Sequence, residues 1–106
     1  MKPIASRKPI TDIHVREIGH DTKISDFSVN YPDELKQMIL EYMKKQSVFS
    51  YTTAPAIDAY TGKIVADYDN GITDGEFYWH RLTEYYFEKY NLKLNDDFIE
   101  YVKKAS

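Results

Sequence analysis

The stretch Trp79-His80-Arg81-Leu82-Thr83-Glu84-Tyr85-Tyr86-Phe87-Glu88-Lys89-Tyr90 constrains the fold more than any other, because its apolar residues recur at helical spacing and are unusually large. Leu82, Tyr85, Tyr86 and Tyr90 share one face and Phe87 widens it, which predicts a core helix flanked on two sides. Asn91, which tolerates left-handed backbone, closes it. Upstream, Thr73-Asp74-Gly75-Glu76 has the spacing of a capping box, whereas Gly75 and the aromatic run Phe77-Tyr78-Trp79 suit a strand leading into a helix that starts near His80. The second reading is preferred.

Two further helices follow from the same logic. Leu35, Met38, Ile39, Tyr42 and Met43 form a single apolar stripe after Asn30-Tyr31-Pro32-Asp33-Glu34, where a capping Asn or Tyr, a first-turn proline and acidic residues favour a helix start. At the other end Asn95 caps, Asp96 and Asp97 occupy the first turn, Phe98, Ile99 and Val102 form the buried face, and Lys103-Lys104 sit at the negative end. Between them, Ser47–Thr53 is rich in β-branched and aromatic residues up to Pro55. Ala56–Tyr60 and Lys63–Tyr68 flank Thr61-Gly62 as a β-hairpin, and Asp69-Asn70-Gly71 supplies another turn. Ile13–Ile18 begins with the alternation of a short strand before Gly19-His20-Asp21 turns the chain. Residues 1–11, with two prolines and several cations, are expected to be a loosely held arm.

The expected fold is therefore a single α+β domain. A small antiparallel sheet from residues 48–68, extended by 76–79, packs against helices near 32–46, 80–90 and 95–104. A length of 106 residues accommodates one core. The absence of cysteine excludes disulfides, thiolate chemistry and Cys-based zinc sites. No signal-peptide-like run opens the chain and no stretch of eighteen apolar residues occurs, so a cytoplasmic protein without a membrane span is expected.

Charge is unevenly distributed. Residues 65–100 carry nine carboxylates against three cations, a net of −6, which disfavours nucleic-acid phosphates and favours a basic partner. Asp67-Tyr68-Asp69-Asn70-Gly71 fails as an EF-hand loop, since placing Gly71 at position 6 puts Ala66 and Tyr68 at ligand positions 1 and 3. Were a helix to start at Thr73, Glu76, His80 and Glu84 would lie one above the other, a row able to bind a divalent metal or to exchange protons. His14 and His20 lack the spacing of a helical zinc pair, and no phosphate-binding glycine loop exists. No cofactor is expected. Ten tyrosines exceed what a small core needs: Tyr42, Tyr85 and Tyr86 fall on core stripes, whereas Tyr60, Tyr68, Tyr78 and Trp79 sit among turns and carboxylates, where aromatic residues serve partner surfaces.

Over about its last third, through Asp74-Gly75-Glu76-Phe77-Tyr78-Trp79, Leu82, Tyr85-Tyr86, Lys89-Tyr90-Asn91-Leu92, Leu94 and Asp97-Phe98-Ile99, the chain resembles small bacterial immunity-type proteins, the cognate inhibitors of polymorphic or contact-dependent toxins. The resemblance implies a protein without catalysis of its own that binds one toxin domain, commonly covering a basic active-site cleft. In that role Asp67, Asp69, Asp74, Glu76 and Glu84 would face Lys and Arg of the toxin, with Tyr68, Tyr78 and Trp79 as anchors. The alternative is a small metal-binding module or enzyme using Glu76, His80 and Glu84.

Overall fold

The computed structural model describes residues 7–105. Strand β1 (Lys8–Pro9) is followed by 3-10 turns at Val15–Glu17 and Ile24–Asp26, helix α1 (Asp33–Lys44), β2 (Ser47–Ser50), β3 (Ala56–Ile57), β4 (Ile64–Ala66), β5 (Gly71–Thr73), β6 (Phe77–His80), α2 (Arg81–Tyr90) and α3 (Asp96–Ala105). The fold is α+β, three helices with a small sheet packed against them.

The helices follow their apolar stripes. Helix α1 buries Ile39, Leu40 and Met43; α2 buries Leu82, Tyr86 and Phe87; α3 buries Phe98, Ile99 and Val102. Asn91 takes the left-handed conformation (φ 57°), so Leu92 N–H turns back to the Tyr86 carbonyl and the chain re-enters the core at Leu92 and Leu94. One cluster of buried side chains, centred on Trp79, Tyr86, Phe87 and Phe98, joins all three helices to the sheet. Phe98 is its hinge point, with ring centroids 5.1 Å from Phe77 and 5.6 Å from Trp79.

The sheet departs from expectation. Four strands lie in the order β1-β6-β5-β2, and β3-β4 form a separate two-stranded ribbon. Instead of pairing with 56–68, β2 runs antiparallel to β5, which begins at Gly71 where the sequence reads as a turn. The reason is the close approach there: a Cβ on Gly71 would meet Ser50 Oγ at 2.7 Å and the Phe49 ring at 2.9 Å, so only glycine lets β2 lie this near. Thr73-Asp74-Gly75-Glu76 forms the β5–β6 hairpin turn. Asp74 Oδ1 accepts from Glu76 N (2.9 Å) and Phe77 N (2.8 Å), and Gly75 adopts φ 104°. The sheet is mixed, because β1 pairs parallel to β6.

That pairing corrects the N-terminal arm. Residues 7–11 are held in place: Arg7 and Ile10 are buried, Lys8 N–H reaches the Glu76 carbonyl, Asn95 N–H reaches the Ile10 carbonyl, and Thr11 Oγ1 donates to the Lys93 carbonyl at 2.6 Å. Residues 1–6 of the expected arm lie outside the described residues. The segment read as a strand at 13–18 is instead a 3-10 turn with Val15 and Ile18 buried. Caps differ as well: Pro32 precedes the first turn of α1 and gives no side-chain cap, and Asn95 directs its amide to the Pro9 carbonyl and Asp12 rather than to α3. No helix among the described residues is long and apolar enough to cross a membrane.

Candidate functional site

The tertiary structure takes apart the acidic, tyrosine-rich surface expected at 67–84. Asp69 is 3% exposed and works inside the fold. Its Oδ1 accepts Leu82 N–H (2.9 Å) at the open N-terminus of α2, while Oδ2 receives Arg16 Nη2 (3.0 Å) and Nε (3.2 Å). The N-cap His80 gives no side-chain bond, so residues 69–70 supply the cap, Asn70 accepting Arg81 N–H through its carbonyl. Asp74 receives the Tyr42 hydroxyl at 2.5 Å besides shaping its own turn, an arrangement that raises the Tyr42 phenol through burial and the carboxylate beside it. Trp79 is 2% exposed, a core residue rather than an anchor for a partner. Glu84 is buried and accepts Trp79 Nε1–H at 2.8 Å. Tyr78 and Glu76 are half-buried, Tyr78 with its ring edge-on to Phe49. Of the eight residues, Asp67 and Tyr68 stand exposed.

The alternative row of Glu76, His80 and Glu84 does not form either. Those residues fall in a turn, a strand and a helix, because the chain is extended from 77 to 80. Among the described residues no group of three or more acidic or histidine side chains is placed to hold a metal ion. Burial, with the Arg16 charge adding to it, lowers the pKa of His80 against the opposing pull of Asp69. Burial raises the Glu84 carboxyl, outweighing the hydrogen bond from Trp79. A carboxyl raised on folding costs stability once pH exceeds its unfolded value. Glu84→Gln, which keeps an acceptor for Trp79, is therefore expected to be more stable than the parent at pH 7. The gap should close at pH 4, as read from paired urea titrations.

Most of the surplus tyrosines serve an internal purpose. Asp58, fully buried on the β3–β4 connection, receives Tyr90 OH (2.6 Å), Tyr85 OH (2.7 Å), Tyr60 N–H (2.7 Å) and Thr61 N–H (3.2 Å). Tyr86 OH in turn accepts Ala59 N–H at 3.0 Å, and Tyr60 OH donates to the Thr22 carbonyl at 2.8 Å. Tyr85, Tyr86 and Tyr90 fasten the ribbon to α2, and Tyr60 ties it to the backbone at Thr22. The sequence shows Asp58 only as a turn residue beside Tyr60 and Thr61, since the two phenols that bind its other oxygen lie 27 and 32 residues downstream.

The ribbon leaves several large apolar side chains facing outward. The segments 51–57 and 64–70 run side by side, tied by Asp69 N–H to the Ala54 carbonyl (2.8 Å), by Thr52 N–H to Asn70 Oδ1 (3.2 Å) and by the Ala56↔Ala66 and Ile57↔Ile64 pairs. Tyr51 is 82% exposed and Tyr68 55%, and together with Thr52, Thr53 and Asn70 they line an open groove. Ile57 and Ile64, cross-strand partners, are also exposed. Four of the seven large apolar residues that stay exposed among the described residues lie on this ribbon. Nothing in the sequence singles out Tyr51, Ile57 or Ile64, which read there as ordinary strand positions. Compared with family models, with curated proteins and with solved structures, the chain has no match.

Proposed function

We propose that the chain is a non-catalytic protein-binding domain, an immunity-like inhibitor that neutralises a cognate toxin in the cytoplasm, and that its contact surface is the ribbon of residues 51–68. The observation that carries this reading is the concentration of exposed apolar side chains on one clamped ribbon, with Tyr51 and Tyr68 facing a shared groove. A folded domain gains nothing by leaving such residues in water, whereas rigid amphipathic phenols are favoured anchors at interfaces. Asp67, exposed beside Tyr68, is the carboxylate available to a basic partner. The clamp at Asp58 supplies preorganisation, which lowers the entropy lost on binding.

The test compares wild type with Tyr51→Ser/Tyr68→Ser in pull-downs from the native host. A stoichiometric basic protein should be captured by the wild type and bound roughly 100-fold more weakly by the double variant, as expected for two interfacial tyrosines. Both proteins should share one unfolding midpoint. Expressed alone, the captured protein should arrest growth, and wild type but not the variant should restore it. Equal capture by both, or capture of nothing by either, refutes the assignment.

A further inference from the structure

A second concavity lies at the opposite end of α2, away from the clamp. A cleft of about 370 Å³ opens between residues 9–16 and the junction of β6 with α2. That volume suits a small molecule. Its walls combine the buried apolar side chains Ile10, Val15 and Trp79 with Arg16, His80 and Thr83.

Thr83 carries the argument. It is 4% exposed and lines the cleft, yet its hydroxyl has no hydrogen-bond partner among the described residues. The hydroxyl is not among the fully buried unsatisfied atoms, so it opens into the cleft, where it is free to pair with a ligand. Arg16 also lines the cleft, its side chain 56% exposed. Its Nε and Nη2 are fixed by Asp69, which leaves the Nη1 hydrogens unengaged among the described residues and the guanidinium plane held still. The His80 imidazole likewise has no hydrogen-bond partner there. Asp12, also at the cleft, is engaged by Asn95 Nδ2 at 3.3 Å. Guanidinium, hydroxyl and imidazole can all donate, and an acceptor bearing negative charge can engage all three at once.

We propose that this cleft binds a small organic anion, its carboxylate or phosphate head met by Arg16, Thr83 and His80 and its apolar body lying against Ile10, Val15 and Trp79. The site does not depend on the ribbon acting as a protein interface. It arises because β1 pairs with β6, which brings the 9–16 segment over the start of α2.

The test is a ¹H–¹⁵N titration of the full chain with benzoate, with phenyl phosphate and with uncharged benzyl alcohol. Saturable shifts at Arg16, His80 and Thr83 are expected with at least one anion and not with the alcohol, and the anion that binds identifies the head group. Thr83→Val should weaken that binding about tenfold, the loss of one hydrogen bond to a charged group. The same variant should melt no lower than wild type, because the hydroxyl removed has no internal partner. Arg16→Gln should weaken binding further. No saturable shift with either anion up to about 10 mM, beyond the range of even weak small-ligand sites, overturns the proposal. So does an affinity unchanged in Thr83→Val, or equal binding of benzyl alcohol.

Discussion

Replacing Asp58 with alanine is expected to lower the unfolding free energy by about 3–5 kcal/mol, since it leaves two phenols and two backbone N–H groups without the buried carboxylate they share. Every donor that reaches this carboxylate comes either from its own loop or from α2, so it is the bolt between ribbon and helix. A domain of this size has roughly 5–15 kcal/mol in total, so the variant should be marginal. Urea unfolding followed by tyrosine and tryptophan fluorescence measures the loss; a value below about 1 kcal/mol, that of one ordinary hydrogen bond, would show the clamp to be dispensable. The pH dependence has a definite sign. Burial alone would raise the Asp58 carboxyl, but the bonds from Tyr90, Tyr85 and the two N–H groups prevail and hold it below the ordinary carboxylate value. Its contribution is thus complete above the unfolded value of about 4 and disappears as pH falls through the folded one. Below pH 4 wild type should therefore lose stability faster than Asp58→Asn. At the alkaline end the Tyr85 phenol is pushed up to about 12, first by its hydrogen bond to Asp58. The clamp is accordingly intact below the unfolded phenol value of about 10 and weakens as pH rises beyond it.

The second large effect is at Asp69. Charge reversal by Asp69→Lys would spare the fold and abolish binding if this residue lay on the partner surface. The structure predicts the opposite order of events. The substitution removes the side-chain acceptor at the first turn of α2, places a cation against the positive end of the helix dipole, and sets it beside Arg16. Loss of the cap costs about 1–2 kcal/mol, and the ion pair, whose Arg16 side chain is 56% exposed, contributes about 1 kcal/mol after solvent screening. A cation introduced at this buried position adds to the loss, because a charge taken out of water without a partner is costly. A loss of at least about 2–3 kcal/mol is expected from the first two terms, read as a lowered melting temperature by circular dichroism. Asp67→Lys, two residues away and exposed, should leave the melting temperature within about 2 °C, as for an ordinary surface change. Equal melting temperatures for the two variants would return Asp69 to the surface.

The helices were legible because their determinants are local. Apolar residues at intervals of three and four fixed the faces of α1, α2 and α3, and Asn91 marked the end of α2, with boundaries differing by one or two residues. Strand-forming character was equally local: 47–50, 56–57, 64–66 and 77–80 all extend as their residue types require. Which strands meet was decided elsewhere. Gly71 admits β2 alongside β5, and β1 closes on β6 from nearly seventy residues away. The candidate sites were hidden for the same reason. A count of carboxylates along the chain treats Asp67 and Asp69 alike. Arg16, 53 residues distant, and Leu82 N–H, 13 residues distant, draw one of them inside and leave the other in water. Periodicity specifies the face a residue takes within its own element; the donors that satisfy a buried charge, and the apolar side chains left without cover, exist only once distant segments have packed.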